Sequence, residues 1–167
     1  MRRPLLLLAV ALAALAYAWT TRGSDDAPAR ELGGRVVRVT DGDTIRVALR
    51  GRVQRVRYIG IDTPESVKPD APVQCYAHRA AAENARLVAG RRVRLVLDVE
   101  THDRFGRLLA YVYREEDGLF VNQALVRGGF ARTLTVPPNV RYARRFAALA
   151  RQARRAGRGL WSACASA

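Results

Sequence analysis

Arg57-Tyr58-Ile59-Gly60-Ile61-Asp62-Thr63-Pro64-Glu65 starts as an apolar, strand-like run and stops in two carboxylates held apart by a Thr-Pro turn. Arg57 stands on the same short run as Asp62, so a cation, a candidate metal ligand and a candidate base lie close together in sequence. A second acidic turn, Asp41-Gly42-Asp43-Thr44, lies one hairpin upstream. The remainder of the chain reads as a frame that brings these pieces together.

Working outward, the chain from Gly34 reads as short strands. Arg35 to Val39 alternates weakly and runs into Asp41-Gly42, a tight-turn signal. Ile45, Val47 and Leu49 alternate with Arg46 and Ala48, which predicts a strand with one buried face. Arg50-Gly51 turns the chain into Val53 to Ile61, where the alternation slips once, as a bulge would cause. Ser66 to Gln74 carries two prolines and no period, and reads as a loop.

Tyr76 to Val88, rich in alanine and closed by Gly90, predicts a helix. Val93 to Leu97 and Arg107 to Tyr113 read as two further strands, joined through Thr101 to Gly106. Asn122 to Arg127, stopped by Gly128-Gly129, predicts a short helix. Asn139 to Gly157 predicts a long amphipathic one, with Tyr142, Phe146, Leu149 and Ala153 on its apolar stripe and most of its arginines off it. About five strands with three helices give an α+β domain, and a small closed barrel with helices packed outside is the natural architecture.

The ends and the composition bound the setting. Arg2 and Arg3 precede an apolar run from Leu5 to Trp19, with Ala16-Tyr17-Ala18 as a cleavage candidate. Residues 1–18 are therefore expected to be a signal peptide or an N-terminal membrane anchor. The apolar run, residues 5–19, is short beside the roughly 20 residues of a membrane span. Residues 19–33 read as a flexible linker, 34–161 as the folded domain and 162–167 as a tail. Either route of export leaves the domain outside the cytoplasm: secreted, periplasmic or tethered on the outer side. No obligate protein partner is read from the chain, and a monomer is expected. In 167 residues the net charge is +14, which points to a polyanionic partner; 49% hydrophobic content excludes wholesale disorder. Of the 29 basic residues all but Lys68 are arginine, whose planar fork suits bidentate phosphate contacts, though genome composition accounts for much of that preference. Cys75 and Cys164 form no CxxC pair, so a zinc site has little support, and in an exported chain one disulfide is favoured over two buried thiols.

Hydrolysing a phosphodiester needs charge neutralisation on the phosphoryl oxygens, a placed water and an oriented leaving group. Asp43 and Asp62, each at a strand-turn junction, are candidate ligands for a hard oxygen-seeking cation such as calcium. Arg57 and Arg107 could grip one phosphate from two sides, and Glu65 could polarise the water. Each signal alone has a plainer reading. Asp41-Gly42 is a common hairpin turn, Asp62 to Glu65 a turn with capping groups, and the two arginines solvated strand residues.

Together the signals match a pattern. Asp41-Gly42-Asp43-Thr44, then Arg57 to Glu65, then Asp103-Arg104-Phe105-Gly106-Arg107-Leu108-Leu109-Ala110-Tyr111 resembles the staphylococcal nuclease (thermonuclease) family in order and spacing. Val121 to Ala131 and the closing Gly159-Leu160-Trp161 continue the resemblance, which spans Gly34 to Trp161. It implies a five-stranded OB-fold barrel with three helices and a calcium-dependent nuclease acting on DNA and RNA. Carried over by position, the resemblance implies Asp43 and Asp62 as calcium carboxylates and Thr63 as a backbone-carbonyl ligand. It also implies Arg57 and Arg107 on the phosphate and Glu65 activating or orienting the water, with cleavage of the 5′ P–O bond. A non-catalytic nucleic-acid-binding OB-fold module is the alternative; it predicts loss of Glu65 or an arginine.

The chain departs from the pattern at three places. The aromatic pair that stacks on a base falls at Thr135 and Pro137, so that platform is expected to be missing; stacking is worth roughly 1–3 kcal/mol per base. Lysines of the loop after Glu65 are replaced near Asp70 and Ala71, and Tyr76-Ala77-His78-Arg79 lacks the usual Gly and Glu. Neither His78 nor His102 is assigned a role.

Overall fold

A computed structural model describes residues 30–66 and 72–164. The expected signal or anchor segment, most of the linker, Asp70 and Ala71 lie outside the described residues. Five strands close a barrel in the order β1 (Glu31–Asp41), β2 (Thr44–Leu49), β3 (Arg52–Tyr58), β6 (Leu108–Arg114) and β5 (Arg92–Val96). All pairings are antiparallel except β3 with β6. This is the α+β closed barrel that the strand pattern predicts, and of the OB type that the resemblance implies.

The alternation explains the closure. Ile45, Val47 and Leu49 point inward on β2 and pair in register with Val56, Gln54 and Arg52 of β3. Val36, Val93, Leu95, Leu108, Ala110 and Val112 fill the same core from the other strands. β1 starts at Glu31, three residues before the expected Gly34, because Glu31, Leu32 and Gly33 pair with Val96, Leu95 and Arg94. Its pairing with β2 shifts register twice, between Val36 and Arg38 and between Val39 and Asp41, which bends it around the barrel.

The slip expected between Val53 and Val56 is not a bulge: β3 pairs with β2 without a register shift, and Val53 simply faces outward, exposed. The irregularity of this run lies further on. β3 ends at Tyr58, Gly60 turns the chain at φ 80°, and β4 (Ile61–Asp62) leaves the barrel to pair with β7 (Arg132–Thr133). Any side chain on Gly60 would also meet the Phe146 ring, 2.7 Å from the Cβ position. The period of two cannot see this break, because Tyr58, Ile59 and Ile61 are all buried on either side of it.

Helix α1 (Ala77–Val88) lies against β1 through Ala77, Ala80, Asn84, Leu87 and Val88, the spacing of one helical face. Helix α2 (Val121–Gly128) carries the buried Asn122, whose Oδ1 accepts from Val112 N and whose Nδ2 donates to Ile59 O, both at 2.9 Å. That side chain joins β6 to the end of β3. Helix α3 (Ala143–Arg155) is shorter than the expected Asn139–Gly157. Asn139 is instead clamped to the 98–101 connection, accepting from Glu100 N and donating to Glu100 O at 2.8 Å each. Phe146 and Ala153 of the expected stripe are buried, while Tyr142 and Leu149 pack at its edge. A fourth short helix, α4 (Leu160–Ala163), was not expected; beyond it Cys164 bonds to Cys75 just ahead of α1, closing 89 residues.

Candidate active site

The β1–β2 turn, the β3–β4 turn and the loop before β6 meet at one end of the barrel. Asp43 is almost buried, and its Oδ2 accepts from Thr63 N at 2.8 Å and Thr63 Oγ1 at 2.9 Å. Its backbone carbonyl accepts from Tyr58 N at 3.0 Å, so the two acidic turns of the sequence are tied to each other. Gly42 permits this approach: a Cβ there would lie 2.7 Å from Thr63 Oγ1.

Arg57 sits between the carboxylates. Its Nη1 lies 2.7 Å from Asp43 Oδ2 and donates to Ile61 O at 3.0 Å; its Nη2 lies 2.8 Å from Asp62 Oδ1. The guanidinium is 12% exposed and the Asp62 side chain 55%. Arg107 is held more lightly. Asp103 Oδ2 accepts from its Nε at 2.6 Å, and Asp103 Oδ1 accepts from the backbone N–H groups of Phe105 and Arg107 at 2.9 Å. Asp103 thus folds the Asp103–Arg107 loop on itself and aims the arginine, and those bonds from Arg107 and Phe105 outweigh burial and hold its carboxyl below the usual aspartate range. Arg57 and Arg107 open into one cleft of about 520 Å³, walled by Phe105, Leu109, Leu134 and Val136.

Glu65 lies beyond Pro64 and is positioned through its backbone. Its N–H donates to Gln74 Oε1 at 2.9 Å, and its carbonyl accepts from Gln74 N at 3.1 Å. Gln74 adjoins Cys75, so the disulfide pins the clamp that holds Glu65. The Glu65 carboxyl faces Asp41, whose Oδ1 accepts from Gly42 N at 2.8 Å and Ser66 Oγ at 2.7 Å.

The charges are unbalanced. Burial raises the Asp41 carboxyl above the usual range, and its contacts with Glu65 and Asp43 push the same way, against the lowering bonds from Ser66 and Gly42. Burial also raises Asp62, helped by the charges of Asp43 and Glu65 and opposed by Arg57. Asp43 and Asp62 flank the Arg57 guanidinium, while Asp41 and Glu65 face each other beside them. Among the described residues no three His, Cys, Asp or Glu side chains converge as a chelating group. Two carboxylates, Asp43 and Asp62, could with backbone carbonyls and water make an all-oxygen set of the kind that suits a hard divalent cation.

The sequence pointed to Asp43, Arg57, Asp62, Thr63, Glu65 and Arg107, and all six stand around this end of the barrel. The expected loss of an aromatic platform needs qualification. Thr135 and Pro137 are exposed, but the cleft keeps an apolar wall from Phe105, Leu134 and Val136. Sequence reading missed the supporting groups Gln74, Asn84 and Asp103. Asn84 joins Tyr58 OH, through its Oδ1 at 2.9 Å, to the Asp41 carbonyl, through its Nδ2 at 2.8 Å. A polar residue on the apolar face of a predicted helix was the available signal.

Two arginines thus open into one cleft beside an acidic turn, and the comparisons with known proteins make the chain a hydrolase of the nuclease class. The family described as "Staphylococcal nuclease homologue" matches residues 55–163, and the chain belongs to it. A thermonuclease of Staphylococcus hyicus is 40% identical over 134 residues, covering 80% of this chain and 78% of the relative. A thermonuclease of Staphylococcus intermedius is 45% identical over 107 residues, covering 64% of this chain and 62% of the relative. Endonuclease YncB of Bacillus subtilis is 39% identical over 127 residues, covering 75% and 59%.

Proposed function

We propose that the chain is an exported, calcium-dependent nuclease that hydrolyses phosphodiester bonds of DNA and RNA. The observation that carries this is the shared cleft: Arg57 and Arg107 face one space, and Arg57 is backed by the two carboxylates best suited to a cation. Asp43, Asp62 and the Thr63 carbonyl would hold the calcium, which when bound supplies positive charge for the phosphoryl oxygens and an acidified water. Arg57 and Arg107 bind two faces of the scissile phosphate and stabilise the charge that grows on it. Glu65, aimed by Gln74, orients the attacking water or takes its proton. The wall of Phe105, Leu134 and Val136 receives the base and excludes water. Export is supported by the apolar run behind Arg2 and Arg3 in the sequence and by the Cys75–Cys164 disulfide; the targeting segment itself lies outside the described residues, among which no helix is long and apolar enough to cross a membrane.

The test is cleavage of single-stranded DNA and of RNA by the purified protein. Calcium should support degradation and a chelator should abolish it. Glu65→Gln should lower kcat about 10³-fold, the scale of a lost base, while leaving the melting temperature within error. Intact substrate after long incubation with calcium overturns the proposal.

A further inference from the structure

The outer face of the barrel carries a feature that the catalytic cleft does not use. In the pairing of β1 with β2, Arg38 lies opposite Arg46; in that of β2 with β3, Arg46 lies opposite Arg55. All three are exposed. They point away from the core, because the alternate residues Val39, Ile45 and Val56 form the inward register. Neighbouring strands are about 4.8 Å apart, so the three guanidinium stems start within about 10 Å of one another. Among the described residues none of the three forms an ion pair, whereas Arg86, Arg91, Arg92, Arg94 and Arg114 do. Like charges directly opposite one another in a sheet weaken it, and here the pattern occurs twice in succession.

The row runs into the cleft. β6 follows β3 in the barrel, and Val56 lies beside Leu108, which brings Arg107 to the level of Arg55 on the adjacent strand. Arg55 Nη2 donates to Phe105 O at 2.8 Å, so the third arginine already touches the loop that presents Arg107. Arg57, two residues along from Arg55, projects on the same side. Four consecutive strands thus offer arginines at one level, the last of them in the cleft.

We propose that Arg38, Arg46 and Arg55 form a phosphate track that binds the backbone of a nucleic-acid strand beyond the scissile bond. The proposal rests on the nuclease reading of the cleft, which fixes where the strand enters. The track adds contacts only for substrates longer than the cleft itself. It is sequence-independent, since guanidinium groups on the outer face of the barrel meet phosphates rather than base edges. A short substrate is blind to it.

The test uses the full-length protein and a double variant, Arg38→Gln with Arg46→Gln, which leaves Arg55 and the cleft untouched. With calcium, cleavage of a dinucleotide should be unchanged in kcat and KM. For single-stranded DNA of about 16 nucleotides, without calcium, Kd should rise about tenfold in about 50 mM salt, and the slope of log K against log salt should shrink by about 1.4, two phosphates' worth. The charge-keeping pair Arg38→Lys with Arg46→Lys should bind like the native protein. The proposal is overturned if the long strand binds the Gln pair as tightly as the native protein, or if dinucleotide and long strand suffer equally. A native protein that binds the long strand with the full salt slope yet, with calcium, cleaves neither it nor the dinucleotide would instead overturn the nuclease reading.

Discussion

At the β3–β4 turn Arg57 is 12% exposed and clasped by two carboxylates, whereas at the entrance to β6 Arg107 is 26% exposed and, among the described residues, ion-pairs with Asp103 only. The two guanidinium groups face the same cleft, but they stand differently in the fold. Arg57 also neutralises Asp43, which in turn holds Thr63 and the exit of β4. Arg107 is tied to its own loop within four residues. One arginine is part of the structure of the site, and the other is mounted on it.

The largest expected effect separates them. Arg57→Ala and Arg107→Ala should each lower kcat about 10³-fold, as loss of a phosphate-binding arginine does. Only the first should also unfold the protein more easily, by about 3 kcal/mol in urea melts, because it strands the nearly buried Asp43 charge. Equal stability for the two variants would break the distinction.

The disulfide comes next. It closes 89 residues and braces the Arg57 side through Gln74 and Glu65. Reduction, or Cys75→Ser with Cys164→Ser, should lower stability by about 3 kcal/mol. It should also lower activity more at Glu65 than at Arg107, so that the remaining Glu65→Gln effect becomes smaller in the reduced protein. Tyr58→Phe is milder. It leaves Asn84 Oδ1 without its donor in the interior and should cost about 1–2 kcal/mol in the same melts, with KM for short substrates unchanged.

The smallest effect is on pH dependence, and its sign differs between the two sides. Asp41 and Asp62 have raised folded pKa values, so their contribution favours folding below the ordinary value of 3.8 and is lost as pH rises through the raised values. Asp103 is lowered, so its contribution is present above 3.8 and is lost as pH falls through its folded value. In melting temperature against pH, Asp62→Asn should flatten the curve just above the aspartate range, and Asp103→Asn should flatten it below. Each should amount to less than about 1 kcal/mol, since these groups are partly exposed. If calcium binds as proposed, it should stabilise the native protein at neutral pH and lose that effect in acid, where its proposed ligand Asp62 takes up a proton.

Much of this was legible in the chain. The alternation of β2 and the Asp41-Gly42 turn predicted a hairpin, and the structure has it in register. The order of acidic turns and arginines pointed to six residues that the fold gathers at one end of the barrel. The break after Tyr58 was not legible as a change of sheet: burial on both sides of Gly60 keeps the run apolar, and a local period carries no information on which partner a strand pairs with. The start of α3 was misplaced because Asn139, compatible with a helix start, is used instead to tie the 98–101 connection by its side chain. Gln74 and Asp103 act through bonds that depend on loop conformation, which composition does not specify.

The sequence by itself determined the class: strand periods of two, glycines at forced turns, a strongly basic chain and the ordered acidic and arginine motifs are local properties, written residue by residue. Tertiary structure decided which of those charges answer one another. Closing the barrel set Asp43 and Asp62 around Arg57, put Arg107 in the same cleft and lined up Arg38, Arg46 and Arg55 on neighbouring strands. Pairing across strands joins residues far apart in the chain, and electrostatic energy depends on those distances through space.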